Sequence, residues 1–189
     1  IPDRPRSEGR HQLILDLTRQ DVQDYLYDSI ADILKTGMIS YVKWDFNRNM
    51  AEVGSALLDA RRQCEIPHRY YLGLYALLER LVTAFPDVLF ESCSGGSGRF
   101  DAGMLYYMPQ TWTSDNSDAI ERLKIQYGTS LVYPLSAMSA HVSASPNHQT
   151  GHVTDFATRL TVALTGSFGY ELDPTAISEE ERQAIRESA

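Results

Sequence analysis

The sequence has 189 residues, of which 43% are hydrophobic and 22% charged, and its formal net charge is -8. This composition is ordinary for a globular domain and excludes a disordered chain. The negative charge argues against nucleic acid and against an anionic membrane surface as partners, because too few cations are present to neutralise phosphates. A small neutral or cationic molecule fits better.

The predicted elements begin with a polar loop over residues 1–10, followed by the apolar run from Leu13 to Leu15. Apolar residues at three- and four-residue spacing then predict a helix that opens at Thr18 and ends at Gly37. The next segment, residues 39–45, is short, β-branched and aromatic. Its composition predicts a buried strand.

The same alternation of strand and helix continues through the rest of the chain, which predicts a mostly parallel sheet with right-handed crossovers. The remaining predicted elements are a helix at 68–85, a strand at 88–93, a Gly-rich loop at 94–98, a strand at 111–114, a helix at 118–131, a strand at 138–143, a helix starting near 154, a strand at 167–172, and a terminal helix with a capping box of Ser178 and Glu181.

The five predicted strands suit an open doubly wound sheet, whereas a (β/α)8 barrel needs eight strands and usually about 250 residues. Polar side chains nevertheless cluster where several predicted strands end, at residues 43–47, 91–93 and 115–118. Barrels place active sites around the ring of strand C-termini, whereas open sheets gather ligands at one switch point. The pattern therefore favours an α/β fold of the TIM-barrel class, and no shift in composition marks a second domain.

The segment YVKWDFNR places Lys43, Asp45 and Asn47 at alternate positions. In an extended chain these three side chains project to the same side, so a cation, a carboxylate and an amide would face one cavity. The alternative is a solvated loop with a structural salt bridge. The preceding apolar run and Trp44 favour a functional site.

The segment TWTSDNSD holds a second concentration of polar side chains. We expect Ser117 or Asp118 to cap the following helix, while Asp115 at the strand end faces the cavity. Two carboxylates from different strand ends are what glycoside hydrolysis requires. Lys43 is expected to hold Asp45 ionised, and drier surroundings are expected to keep Asp115 protonated often enough to act as an acid.

The Gly-rich segment ESCSGGSGRF lacks the pattern of a phosphate-binding loop. Its glycines indicate either a loop whose backbone approaches a ligand beside Cys93 or a flexible surface turn. The two cysteines and five histidines show no metal-ligand spacing, so neither a metal site nor a cofactor is predicted. We interpret His141 as a hydrogen-bonded structural residue, with lining of the cavity as the alternative. No run of residues is apolar enough to span a membrane, and a cytoplasmic protein with free thiols is expected.

Four ordered motifs, which together cover nearly the whole chain, resemble the bacterial α-galactosidases of glycoside hydrolase family 36. They read RPRSEGRHQLILD, YVKWDFNRNM, ESCSGGSGRFDAGMLYYMPQTWTSDNSDAIERLKIQYGTSLVYP and SAHVSASPNHQTG. The resemblance implies that residues 1–189 form strands four to eight of a catalytic (β/α)8 barrel. The β-sandwich and the smaller β domain that flank this barrel in the family are expected to be absent, and the full-length protein is expected to be a homo-oligomer.

The resemblance also implies a retaining mechanism that releases terminal α-galactose from melibiose- and raffinose-type sugars. Asp45 would be the nucleophile and Asp115 the general acid/base. The implied substrate-binding residues are Lys43 and Arg10 at the hydroxyls of carbons 3 and 4, Asn47, Cys93 and Gly95 at the hydroxyl of carbon 2, and Trp112 in the pocket wall.

Three alternatives remain open. The chain is also compatible with an inactive half barrel, with a galactosyl transferase, and with an α-N-acetylgalactosaminidase. One departure from the family pattern is His152, which stands where relatives more often carry arginine and therefore affects the contacts of that loop.

Overall fold

The computed structural model describes residues 8–9, 11–48, 50–51, 53–96 and 98–188. The chain divides into two compact units, Ile1–Pro109 and Gln110–Ala189, each with its own set of parallel strands.

The first unit pairs two parallel strands with helices. Strand β1 spans Tyr41–Asp45 and strand β2 spans Leu89–Cys93, and their register runs from Tyr41 opposite Leu89 to Asp45 opposite Cys93. The helices of this unit are α1 (Gln20–Leu34), a 3-10 turn (Ala60–Glu65), α2 (Ile66–Ala84) and α3 (Ala102–Tyr107).

The core of the first unit lies where α2 covers the two strands. Leu77, Leu78 and Leu81 are fully buried in α2, and Phe90 of β2 packs into the same cluster. A close approach of the backbone also shapes this unit, because a Cβ atom on Gly73 would lie 1.9 Å from the Leu17 carbonyl oxygen. Helix α2 can therefore pack against this loop only with glycine at that position.

The predicted strand at residues 39–45 forms over Tyr41–Asp45, but the prediction that it is buried holds for one face only. Val42 and Trp44 pack against the core, but Tyr41, Lys43 and Asp45 are exposed. Successive side chains of a strand point to opposite faces, and only one face of β1 is covered by helices. The exposed face is the one that carries the polar residues.

The second unit contains three parallel strands, β3 (Gln110–Trp112), β4 (Met138–Ser143) and β5 (Ser167–Glu171). Ala140 and Val142 of β4 pack against Ala163 in a small core. The helices are α4 (Ala119–Ser130), a 3-10 turn (Leu135–Ala137), α5 (Phe156–Ala163) and α6 (Glu179–Ser188).

Only one of the two hydrogen bonds of the predicted capping box at α6 is seen among the described residues. The backbone N–H of Glu181 donates to Ser178 Oγ at 3.2 Å, whereas the Glu181 carboxylate binds the guanidinium of Arg159. Arg159 is buried, and a buried charge needs a partner of opposite charge, which the Glu181 carboxylate supplies. Within the described part of the chain, every helix is too short or too polar to cross a lipid bilayer.

Candidate active site

Asp45 lies at the carboxyl end of β1, directly across the parallel ladder from Cys93. The ladder continues one step further, since the Phe46 N–H donates to the Cys93 carbonyl at 3.0 Å. Burial, and then a hydrogen bond to the Asp45 carboxylate, raise the pKa of the Cys93 thiol to about 11. The thiol is therefore protonated at neutral pH and acts as a hydrogen-bond donor to Asp45.

Asn47 connects Asp45 to the Gly-rich loop. Its Nδ2 donates to the Asp45 carboxylate, and its Oδ1 accepts from the Gly95 N–H at 2.7 Å. Gly95 has a φ of 58°, a backbone conformation that glycine adopts without steric cost. The Asn47 amide is thus held at both ends, and the exposed Asp45 carboxylate receives one donor from Asn47 and one from Cys93.

Lys43 lies two residues before Asp45, on the same face of β1. Its register partner is Glu91, and its Nζ is 3.7 Å from Glu91 Oε1. Tyr41 donates to the other oxygen of Glu91, and burial followed by this bond raises the pKa of the Tyr41 hydroxyl. Sequence reasoning noted Glu91 at a strand end but did not include it in the site, because its pairing with Lys43 depends on the strand register.

A cavity of about 470 Å³ opens beside Asn47 and Gly95, on the side of the Gly-rich loop. Arg99 lines it, with its guanidinium 3.3 Å from the ring centroid of Phe46 and hydrogen bonds to the carbonyls of Phe46 and Arg48. Burial lowers the pKa of Arg99 below its usual value, and the side chain remains a cation at neutral pH. Sequence analysis quoted Arg99 within ESCSGGSGRF but gave it no role, because its packing on Phe46 depends on residues far away in the sequence.

In the second unit, Asp115 lies at a bend between β3 and α4 and is exposed. Both sides of the bend are held: the Arg122 guanidinium donates to the Ser114 carbonyl at 3.1 Å, and Gln149 Oε1 accepts from the Ser117 N–H at 3.0 Å. No hydrogen bond to the Asp115 carboxylate comes from the described residues. The backbone around Asp115 is thus fixed while its carboxylate stays open to solvent, so these residues do not supply the drier surroundings that the sequence analysis expected.

Trp112, the last residue of β3, is buried between polar neighbours. The His141 ring stacks on it with centroids 4.5 Å apart and an interplanar angle of 17°, and the Arg122 guanidinium lies 4.5 Å from its ring centroid. His141 Nδ1 is 2.9 Å from Glu171 Oε2, so His141 is hydrogen-bonded as predicted. His141 of β4 and Arg122 of α4 thus hold the indole ring in place.

Arg122 is almost completely buried, and burial lowers its pKa to about 10. Besides the Ser114 carbonyl, it donates to the Ser139 carbonyl at 2.7 Å and to Gln126 Oε1 at 2.9 Å. Uncharged oxygens rather than a carboxylate therefore solvate this charge, and these bonds tie the segment after β3 and the beginning of β4 to α4. Sequence analysis assigned no role to Arg122.

The expected helix cap is confirmed for Asp118, whose Oδ1 accepts from the N–H groups of Ile120 and Glu121 at the start of α4. Burial alone would raise the pKa of Asp118, but hydrogen bonds led by that from Thr150 bring it below its ordinary value. His152 Nδ1 also lies 2.8 Å from Asp118 Oδ2. The histidine at the departure from the family pattern thus contacts the helix cap.

Arg10, the remaining predicted sugar contact, lies outside the described residues. Among the described residues, no group of three or more His, Cys, Asp or Glu side chains is arranged to hold a metal ion. The candidate residues therefore form two sets, which are described separately: one in the first unit, at the carboxyl ends of β1 and β2, and one in the second unit, after β3 and along β4.

Comparisons with known proteins agree closely with one another. Residues 1–189 match the Melibiase family. The chain is 61% identical to alpha-galactosidase AgaA of Geobacillus stearothermophilus over 99% of this chain and 26% of the relative, and 55% identical to alpha-galactosidase 1 of Pediococcus pentosaceus over 98% of this chain and 25% of the relative. A crystal structure of a variant of the Geobacillus GH36 enzyme in complex with raffinose has a TM-score of 0.96 at 60% identity, covering 100% of this chain and 26% of that one.

These likenesses confirm the resemblance to glycoside hydrolase family 36 that the four motifs indicated. They also confirm the predicted fold class, since the five parallel strands match part of a TIM barrel along the whole chain. The chain spans about a quarter of the length of the curated relatives that it matches.

Proposed function

Because the chain belongs to the Melibiase family, we propose that the protein releases terminal α-linked galactose from melibiose- and raffinose-type oligosaccharides with net retention. The observation that carries this proposal is the Asp45 carboxylate, which is exposed at a strand end and receives hydrogen bonds from Asn47 and Cys93. Such donors orient a carboxylate and hold it in place, as attack on a bound substrate requires. The raffinose complex of the Geobacillus relative supports the substrate class.

The proposed reaction has two displacements. In the first, an oxygen of Asp45 bonds to the anomeric carbon while the bond to the leaving oxygen breaks, and Asp115 gives that oxygen its proton. In the second, Asp115 takes a proton from water, and the water oxygen displaces Asp45 from the anomeric carbon. Each displacement inverts the anomeric carbon, so the released galactose has the configuration of the substrate.

The site around Asp45 suits recognition of sugar hydroxyls. Cys93 is a protonated donor at neutral pH, Asn47 offers an amide, and Lys43 offers an ammonium group. We assign Asn47, Cys93 and Gly95 to the hydroxyl of carbon 2, and Lys43 with Arg10 to those of carbons 3 and 4. Trp112 is assigned to the pocket wall, where His141 and Arg122 fix its ring.

Asp115 suits the acid/base role because its backbone is held while its carboxylate is open. Bonds at Ser114 and Ser117 fix the bend on both sides of it. A residue that exchanges a proton first with a leaving group and then with water needs this combination of fixed position and access.

The experiment follows the products of the full-length protein acting on 4-nitrophenyl α-galactopyranoside, melibiose and raffinose. Proton NMR of the first turnovers should show α-galactose before mutarotation forms the β-anomer. Initial β-galactose would contradict retention. Absence of hydrolysis would favour a non-catalytic member of the family. Preference for the N-acetyl-α-galactosaminide would identify an α-N-acetylgalactosaminidase, and transfer of galactose to another sugar as the main reaction would identify a transferase.

A further inference from the structure

Glu91 lies in the middle of β2 with its side chain fully shielded from solvent. Burying a carboxylate is costly unless it is paired and hydrogen-bonded. Two of its partners come from the neighbouring strand β1: Tyr41 donates to Oε2, and Lys43 Nζ lies 3.7 Å from Oε1. Both partners lie on the polar face of β1, two residues apart.

The pair of Lys43 and Glu91 lies next to Asp45, the proposed nucleophile. Lys43 opposes Glu91 in the strand register. Asp45 opposes Cys93 two residues closer to the carboxyl end, on the same face of the strands. The two cross-strand pairs therefore stand next to each other. Glu91 itself is shielded, so it can affect a bound sugar only through a neighbour that reaches the face.

Lys43 is that neighbour. Its side chain is 35% exposed, and its four-carbon stem carries about 2 kcal/mol of rotamer freedom that an anchoring charge can restrict. The 3.7 Å separation of Lys43 Nζ from Glu91 Oε1 is longer than a hydrogen bond. The ammonium group is therefore attracted toward Glu91 and can still donate to the hydroxyl oxygens of a sugar. Tyr41 holds the same carboxylate from the other oxygen, which fixes the anchor.

We propose that Glu91 is a positioning residue, which holds the Lys43 ammonium in place for the hydroxyls of the galactose ring. The inference rests on the proposed function. It adds a positioning group to the site, in which the buried Glu91 carboxylate joins the exposed residues Tyr41 and Lys43. Glu91 acts through Lys43 and touches neither the sugar nor the reacting atoms.

A purely structural role makes a different prediction. If Glu91 only joined β1 to β2, its replacement would lower stability and activity whether or not Lys43 was present. If Glu91 acts through Lys43, its replacement matters only while Lys43 is there. A double-mutant cycle separates these cases, because residues acting through one contact show non-additive effects.

The cycle comprises Glu91→Gln, Lys43→Met and the double variant in the full-length protein, with kcat/KM measured on 4-nitrophenyl α-galactopyranoside. We expect Glu91→Gln alone to lower kcat/KM by about tenfold to a hundredfold, the range that misplacing a binding group produces. In the Lys43→Met background the same substitution should change kcat/KM by less than about twofold. Ser92→Ala, at the neighbouring buried position on the other face of β2, is the control and should show no coupling to residue 43.

Additive losses would overturn the proposal, as would unchanged kinetics in Glu91→Gln. If Glu91→Gln does not fold, Tyr41→Phe removes the other donor to the carboxylate and should show the same dependence on Lys43. Calorimetric binding of galactose by the same variants gives a second measure of the coupling. A wild-type protein that binds galactose without hydrolysing α-galactosides would refute the proposed function, and the coupling would still be measured from binding.

Discussion

Cys93 lies directly opposite Asp45 in the parallel ladder, and burial together with a hydrogen bond to the Asp45 carboxylate raises the pKa of its thiol to about 11. The carboxylate and the burial of the thiol act in the same direction, since both disfavour a thiolate. The cysteine therefore serves as a neutral donor that orients the carboxylate, and it is not available as a second nucleophile.

The raised pKa of Cys93 predicts slow alkylation of the folded protein at neutral pH. Cys64 is exposed and free, so it is the internal control and should react with N-ethylmaleimide much faster. The Cys93 rate should increase as the pH rises toward about 11, where the thiolate forms. Mass spectrometry of digested samples measures both rates. Equal labelling of the two thiols in the folded state would show that Cys93 is neither buried nor held by Asp45.

Replacing Asn47 by alanine should weaken recognition at carbon 2 of the sugar. The substitution removes the donor to Asp45 and the acceptor of the Gly95 N–H, and a hydrogen bond to a charged group contributes about 1.5–3 kcal/mol. We expect kcat/KM on the 4-nitrophenyl α-galactoside to fall roughly 10- to 150-fold. With the 2-deoxy substrate the loss should be smaller, since that substrate lacks the hydroxyl. An equal loss on both substrates would place Asn47 elsewhere in the mechanism.

Arg122→Met should destabilise the protein by at least about 2 kcal/mol, because each buried acceptor left unsatisfied costs about 1–3 kcal/mol. The substitution leaves the carbonyls of Ser114 and Ser139 without their donor. Lys124→Met makes the same change at an exposed cation of the same helix and should leave the urea midpoint nearly unchanged. Similar midpoints for the two variants would show that the buried guanidinium does not hold the strand ends together.

Much of this fold could be predicted because local signals agree with the tertiary structure. Strand β4 has the predicted bounds, Asp118 caps α4 as its sequence context indicated, and Gly37 follows the end of α1 in a left-handed conformation. Each of these features depends on residues within about one turn of the chain.

The features that could not be predicted depend on residues far apart in sequence. Glu91 meets Lys43 only through the register of two strands, and Glu181 binds Arg159 rather than completing its own cap. The exposure of the polar face of β1 likewise depends on the tertiary structure, because composition alone does not show which face of the strand the helices cover. Helix α3 was not predicted because six residues are too few to show the spacing of apolar residues that is typical of a helix.

Leu78→Ala should destabilise the first unit by about 2–5 kcal/mol, the usual cost of removing a fully buried leucine side chain. Leu72 lies in the same helix and is 54% exposed, so Leu72→Ala is the matched control and should cost less than about 1 kcal/mol. Urea unfolding followed by circular dichroism gives both values. A similar cost at the two positions would contradict the packing of α2 against the strands.

The most direct test of the two catalytic assignments is the stereochemistry of azide rescue in Asp45→Gly and Asp115→Gly of the full-length protein, with an activated aryl α-galactoside. Both variants should lose several orders of magnitude in turnover. In Asp45→Gly, azide should occupy the place of the missing nucleophile and yield β-galactosyl azide. In Asp115→Gly, azide should displace Asp45 from the galactosyl-enzyme and yield α-galactosyl azide. The reverse pattern, or near-normal turnover in either variant, would contradict the assignment of Asp45 as nucleophile and Asp115 as acid/base.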